Sequence, residues 1–478
     1  MSKQSVNSQV VVKAGFWYTI CNFLFKGMAF ITTPIFTRLM TKGEIGNFSN
    51  YSSWITILLV LTSFDLAQSV IRSKLEHEDD MDCYVWSILS FSTIATAVWY
   101  VFVLIFPDFF CNLLDTEMRY LHIMFVYLFF TPAYNMLITK HRAFYKYKLF
   151  VLLTGISVVS GTLLSLLLAA LMEDRLMGRI YGFYIPQIIM GAIIYVYLFL
   201  KSKRIKIEYW KYACTICLPL VPHVLSLYML SSSDKVLLTK MCGSEYNAIY
   251  TIAYSAYHIA TILFDSMNKA WAPWLLESLH NKKYNEIRKV SRIYILVFDV
   301  LTIGILLLVP EIILILGGKG YEGAIYCLPP LIVSAVFQLI YTMYVNIEFY
   351  EKKTIGVAFA TILASAVNIG LNLLLIPLSK EYSYVIAAYT TLVGYMILFV
   401  LHYFMVRRMK MDFVYDIKYI LLIFALTLGI SAIMNFIYKL TILRTVLIAV
   451  YAVAVCFVLY HYREKLLLLL KRKKKKRA

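Results

Sequence analysis

Long, nearly uncharged apolar runs alternate with short charged segments along the chain. Each run has the length of a membrane-crossing helix, about 20 residues at roughly 1.5 Å per residue. The pattern predicts spans at roughly 14–39, 49–70, 84–106, 120–138, 149–171, 179–200, 213–233, 248–270, 293–309, 328–345, 355–376, 385–405, 419–437 and 443–460. A spanning barrel would show segments of about ten residues with alternating polarity instead. Helices and closed barrels are the structures that satisfy backbone polar groups in lipid. The predicted fold class is therefore all-α: a polytopic membrane protein with about fourteen transmembrane helices.

Two basic linkers divide the chain. Lys201–Lys211 follows span six and Arg407–Lys418 follows span twelve. This gives an N-terminal lobe over 1–206, a second lobe over 207–410, and 411–478 with the last two spans and a basic tail. The two six-span halves also carry a faint repeat. Arg38 precedes Gly46-Asn47-Phe48-Ser49 by eight residues, and Lys240 precedes Ala248-Ile249-Tyr250-Thr251 by eight. Parallel repeats of this kind are related by an axis along the membrane normal, with the substrate cavity between them.

Polar groups inside spans are costly in hydrocarbon and are candidates for function. Span one carries Asn22, Lys26, Ala29, Thr33 and Thr37 on one helical stripe, with Lys26 near the middle. Span two carries Thr62, Asp65, Ser69 and Arg72 at the same spacing. An Asp65–Lys26 ion pair would be either structural or a switch that protonation or substrate breaks. In span seven, Pro219 and Pro222 loosen the helix near His223, Ser226 and the Ser231–Lys235 run. His223 is either a satisfied interior histidine or a ligand for proton or substrate. Asp234 and Lys235 either serve a cavity or simply end the span at the interface. Span eight is the most polar: Tyr250, Tyr254, Tyr257, Thr261, Asp265 and Asn268 share a face, with His258 and Lys269 at its edges. Interfacial belts account for some tyrosines. A face running through a whole span suits sugars, which take aromatic rings and hydroxyl handles together. Spans ten and eleven add Gln338 and Tyr341, then Thr361, Ser365, Asn368 and Asn372.

Composition agrees with this pattern. The chain is 61% hydrophobic and 15% charged, with a mean hydropathy of +0.73. Soluble domains are nearer 45–50% apolar and about 25% charged, so much of this surface must face lipid. The net charge of +19 is distributed by topology. With both termini cytoplasmic, about 33 of the 46 Lys and Arg residues fall in cytoplasmic segments, the bias that orients membrane proteins. Acidic Glu76–Asp82 is the segment that fits this least. Basic loops beside spans point to anionic lipid headgroups, so no nucleic-acid partner is expected. Met1–Gln9 leads straight into a full span, so no cleavable signal peptide is expected. Cys214 and Cys217 form a C-x-x-C within an apolar helix, without a second pair or a spaced histidine, and read as packing. Gly317-Gly318-Lys319-Gly320 lacks the spacing and hydroxyl residue of a phosphate loop. No enzyme or cofactor signature is present, and no metal ligand set.

A series of ordered elements resembles the multidrug/oligosaccharidyl-lipid/polysaccharide exporter superfamily, above all its polysaccharide-transport branch of repeat-unit flippases. They are Phe23-x-x-Lys26, Pro34-x-x-x-Arg38 and Gly43-Glu44-Ile45-Gly46-Asn47, then Pro219-x-x-Pro222 and Ser233-Asp234-Lys235-Val236-Leu237-Leu238. Ala248-Ile249-Tyr250-x-x-Ala253-Tyr254, Asn268-Lys269-Ala270-Trp271-x-Pro273, Pro310-Glu311-Ile312-Ile313-x-Ile315-Leu316 with Tyr321, and Asn368-x-x-x-Asn372-x-x-Leu375-Ile376-Pro377 follow. The chain departs after Pro377, where Leu378-Ser379-Lys380-Glu381-Tyr382 replaces the small residues common in the family. The resemblance implies two six-helix lobes, alternating access and a cationic cavity in a bacterial plasma membrane protein. It also implies an undecaprenyl-diphosphate-linked oligosaccharide as cargo and a polysaccharide polymerase among the partners. Lys26, Lys269 and Lys235, then His223, are the expected diphosphate ligands, with Tyr250, Tyr254, Tyr257 and Asn268 at the sugars. Asp65, Arg72, Asp265 and Asp234 are the coupling or ion-pair candidates. The rivals are a cation-coupled drug antiporter of the same superfamily, which needs buried acids, and a non-transporting scaffold, which needs no charges in its spans.

Overall fold

The computed structural model of the chain describes residues 17, 27–28, 30–144 and 146–461. Every regular element among them is helical, as lipid demands of backbone that must satisfy its own polar groups. After a helical stretch over 30–39, the order is α1 (Lys42–Ser63), α2 (Ser69–Glu76), α3 (Met81–Ile105), α4 (Pro107–Leu114), α5 (Met118–Ala143), α6 (Tyr147–Leu171), α7 (Arg175–Lys201), α8 (Ile207–Cys217) and α9 (Val221–Cys242). It continues with α10 (Ser244–His280), α11 (Tyr284–Leu307), α12 (Val309–Leu316), α13 (Ala324–Tyr350), α14 (Thr354–Leu375), α15 (Ser383–Arg408), α16 (Ile417–Ile437) and α17 (Thr441–His461).

Ten helices among the described residues are long and apolar enough to cross a membrane, eleven if the bent pair α1–α2 counts as one span. The difference from fourteen has local causes. The first expected span is only partly described. Helix α10 runs for 37 residues but carries Asp265, Lys269 and many hydroxyls along its middle. The apolar part of α17 is short, Thr441–Phe457.

Helix starts follow the local chemistry. Thr41 and Glu44 form a reciprocal capping box at α1, satisfying donors that have no partner inside the helix. Asp174 accepts from the Met177 amide (2.9 Å) and so begins α7 at Arg175. Close packing of α6 on α7 depends on missing side chains. A Cβ on Gly182 would lie 2.3 Å from the Ser165 Cα, and one on Gly178 would lie 2.5 Å from the Leu168 carbonyl oxygen. Small residues give membrane helices this proximity when burial from water cannot drive them together.

The helices pack in two groups. One contains α1, α3, α5, α6 and α7; the other contains α9, α10, α11 and α13–α16; they meet where α9 and α10 cross α1. Helix α8 begins the expected span seven yet packs on the first group. Lys206 and Tyr209 both donate to Asp80 Oδ2 (2.7 and 2.6 Å), and Trp210 donates to the Ser87 carbonyl (2.6 Å). The Lys206 bond to Asp80, and after it the one to the Tyr209 hydroxyl (3.3 Å), push the Lys206 ammonium pKa up. The chain changes group at the turn Leu218–Leu220, where Pro219 sits.

The final helices are fastened by polar contacts. Asp299 accepts from Thr427 (2.6 Å), and Tyr451 donates to the Val300 carbonyl (2.6 Å). Asp416 caps α16 by accepting from the Lys418 and Tyr419 amides (3.1 and 3.3 Å) and also pairs with Arg292 of α11. Arg292 holds the Asp416 carboxyl below the usual carboxylate range. A depressed pKa contributes stability above its unfolded value of about 3.9, which is lost as pH falls through the folded value. Asp416→Ala should cost about 1 kcal/mol, the usual worth of a helix cap, read as a lower unfolding temperature of the purified protein. An unchanged temperature would show that the latch holds nothing.

Candidate functional site

A cavity of about 460 Å³ lies between the two groups. The first helical stretch contributes Thr32, Thr33 and Phe36, α1 contributes Ser49, Ser52 and Thr56, and α7 contributes Arg179 and Gln187. From the other side come Lys235 of α9 and Thr251, Ser255 and His258 of α10. Among the described residues its lining is hydroxyls, one amide, aromatic and apolar side chains and two cations, with no carboxylate.

Each cation is held by rings rather than by an acid. The Arg179 guanidinium carbon lies 4.0 Å from the Phe36 ring centre and 3.9 Å from that of Phe48. Lys235 Nζ lies 4.2 Å from the centre of the Tyr254 ring. Neither makes a salt bridge among the described residues. Cation–π contacts steady a charge without neutralising it, so both remain able to bind an anion.

One end of this cavity is sealed. The Asn247 amide donates to the Gly46 carbonyl (2.9 Å), and Thr251 donates to Ser49 Oγ (2.7 Å). Thr37 reaches the Leu316 carbonyl (2.7 Å), and Lys42 lies 5.6 Å from the Tyr321 ring. Ser49 and Thr251 are the matching last positions of the repeated run, so the repeat partners meet each other at the seam. Gly46 is required there: a Cβ would stand 1.8 Å from the Ser244 carbonyl oxygen.

Beside Lys235, Asp234 points the other way, into the second group. It is fully buried and accepts from Tyr250 (2.6 Å), Thr391 and Asn372 (2.5 Å). Thr390 donates to Asn372 Oδ1 (2.5 Å), and Ser233 donates to Asn368 (3.4 Å). The stripe of α14, Thr361 to Asn372, thus faces a closed polar knot. Helix α9 continues to Cys242, so Asp234 and Lys235 do not end a span.

The other sequence candidates are spread more widely. Lys26 lies outside the described residues. Tyr250 and Tyr257 are buried in the second group, where Tyr257 donates to Gln338 (3.1 Å). Only Tyr254, through its contact with Lys235, adjoins the cavity. Asn268 accepts from Asn346 (3.3 Å) and Lys269 is exposed. Both sit farther along α10, roughly 20 Å from Tyr254 at helical rise. Asp265 is half-buried and does not line the cavity. His223 is half-buried, about 18 Å along α9 from Lys235, and its buried Nδ1 has no hydrogen-bond partner. Arg72 is exposed and pairs with Glu76 (3.6 Å). Asp65 sits at the break between α1 and α2. Sequence reasoning missed Arg179 by placing it at the edge of span six. The helix-capping Asp174 was the available signal, since it starts the helix one turn earlier and draws Arg179 inside.

The sequence profile of polysaccharide biosynthesis proteins matches residues 11–279. Among curated proteins, the chain is 21% identical over 145 residues to an uncharacterized membrane protein of Haemophilus influenzae, a match that spans 30% of this chain and 36% of that one. Among solved structures, the lipid II flippase MurJ in an inward closed conformation superposes with a TM-score of 0.70 at 15% identity, covering 94% of this chain and 99% of MurJ. An inward-facing multidrug resistance MATE family transporter of the MOP superfamily gives 0.55 at 13% identity, covering 82% and 99%. A MOP superfamily transporter from Pyrococcus furiosus, described by the reverse polarity of its binding pocket, gives 0.51 at 16%, covering 86% and 100%. The helical arrangement is thus the fold of that exporter superfamily.

Proposed function

Given that the chain belongs to the polysaccharide biosynthesis protein family, we propose that it moves a lipid-diphosphate-linked oligosaccharide from the inner to the outer leaflet of a bacterial plasma membrane by alternating access. The observation that carries this reading is the pair Arg179 and Lys235 in an inter-group cavity where no described residue contributes a carboxylate. Two unit charges about 4 Å apart attract by roughly 1 kcal/mol in water and roughly 4 kcal/mol at an effective dielectric near 20. A diphosphate is therefore held far better in this cavity than in bulk solvent. Lys26, outside the described residues, stays a third candidate cation from its place in the sequence. Undecaprenyl diphosphate is the natural lipid carrier for this role, and a polysaccharide polymerase is the expected consumer of the product. The basic tail Lys471–Arg477, outside the described residues, would rest on inner-leaflet headgroups. Cation-coupled drug antiport is less favoured, because Asp65 and Asp265, the acids it would use, do not line the central cavity, and Asp234 is already engaged by Tyr250, Thr391 and Asn372.

The energy source follows from the cargo's charge. Membrane potential contributes about 2.3 kcal/mol per charge per 100 mV, so two negative charges leaving a negative interior gain roughly 4–5 kcal/mol. In proteoliposomes loaded with the undecaprenyl-diphosphate-linked repeat unit, glycan should become accessible to an added glycosidase on the opposite face. Clamping the potential to zero with potassium and valinomycin at constant pH should slow this. No exposure above empty liposomes, with uptake of a cationic dye instead, would assign the protein to antiport.

A further inference from the structure

A second cavity of about 350 Å³ is lined mostly by the first helix group, with Tyr228 of α9 at its edge. Beside the hydroxyls of Thr56, Ser63 and Thr139, its polar lining includes Asp65, Gln68, Asn135 and Arg142, and Tyr127 and Tyr228 add aromatic rings. Thr56 lines both cavities, so the two adjoin along α1. From Thr56 to Ser63, the last residue of α1, the chain advances about 10 Å at helical rise, enough for sugar beyond a diphosphate held at Arg179 and Lys235.

The backbone at this cavity is unusual. Phe64 and Asp65 are consecutive non-glycine residues at φ +49° and +50°, the left-handed region that L side chains avoid. They divide α1 from α2 with a bend of 62°. A straight helix would need neither residue there. The break turns a span into a wall with a carboxylate and an amide at its corner. Strained positions of this type persist where the surrounding structure requires them and cluster at binding sites.

The lining matches one chemistry. Asp65 accepts only, Arg142 donates only, and Gln68 and Asn135 do both. Sugar hydroxyls, which donate and accept in turn, use all four, and tyrosine faces suit the apolar faces of sugar rings. We propose that this recess is a glycan subsite that seats the oligosaccharide of the translocated lipid, with Asp65, Gln68, Asn135 and Arg142 reading its hydroxyls. The proposal rests on the flippase reading above. It gives Asp65 a role in recognition rather than in coupling.

The test compares two probes on the full chain in nanodiscs: undecaprenyl diphosphate, and the undecaprenyl-diphosphate-linked repeat unit isolated from cells deleted for this protein. Wild type should bind the repeat unit more tightly than the bare lipid diphosphate. The double variant Gln68→Leu/Asn135→Leu, and separately Asp65→Asn, should lose about tenfold in repeat-unit affinity, or about 1.4 kcal/mol, and keep bare-lipid affinity within twofold. Retained bare-lipid binding also shows that each variant is folded. Equal weakening of both probes, or unchanged repeat-unit binding, would overturn the subsite and leave the flippase reading standing. A wild-type protein that binds neither probe would overturn both.

Discussion

Arg179→Ala/Lys235→Ala should abolish surface glycan export while the protein still accumulates in the membrane. The expectation follows from where the charges stand. Both cations face one cavity from opposite helix groups, and aromatic rings rather than acids hold them. Removing them leaves no described cation on the cavity wall. Each attraction is worth roughly 4 kcal/mol at an effective dielectric near 20, so a single loss should cut export by about 100-fold or more. Arg179→Lys separates charge from shape. An ammonium keeps the charge but cannot lie flat between Phe36 and Phe48 as a guanidinium does, so intermediate export is expected. The measurement is surface polysaccharide together with the pool of lipid-linked repeat units, which should rise as export stops. Export from the double variant at the wild-type rate would mean that the anion crosses elsewhere.

Gly46→Leu should remove export by a different route. The side chain would begin 1.8 Å from the Ser244 carbonyl oxygen, and backbone cannot yield as a flexible side chain would. The seal at this end would then stay open. Close packing makes such interfaces switch between discrete arrangements instead of deforming gradually. A cysteine at Ser255, on the cavity wall, should become reactive toward an impermeant maleimide added from the sealed side and remain unreactive in the Gly46 background. Normal export with an unreactive cysteine would show that the seam tolerates a side chain and does not gate access.

Much of the fold is legible because lipid imposes helices and helices impose a 3.6-residue period. The stripe Thr361, Ser365, Asn368 and Asn372 shares one face in the sequence and is buried together in the structure. Lys235 is a candidate in the sequence just past the expected end of span seven, and it lines the cavity. Depth and partners are less legible, because they depend on which helices cross. Tyr250 reads as a sugar-facing ring until Asp234, sixteen residues earlier, is found accepting its hydroxyl hydrogen. Lys269 is read from the sequence as a cation at the edge of the polar face of span eight, and the structure leaves its side chain exposed and away from the central cavity. Asp299 looks like one acid in an apolar run, and only Thr427, 128 residues away, explains it. Arg179 was hidden by a boundary error of a single turn.

The early crossing of α8 has a practical meaning for recombination. Residues 207–217 begin within the basic linker between the two six-span halves and fall on the second half's side of the boundary at 206, but they are bolted to the earlier helices. A chimera joined at Lys206 would bring a foreign Tyr209 and Trp210 against the resident Asp80 and Ser87. A chimera joined at Leu218–Leu220 would exchange whole packing units and keep those hydrogen bonds, so the natural splice point lies inside a span.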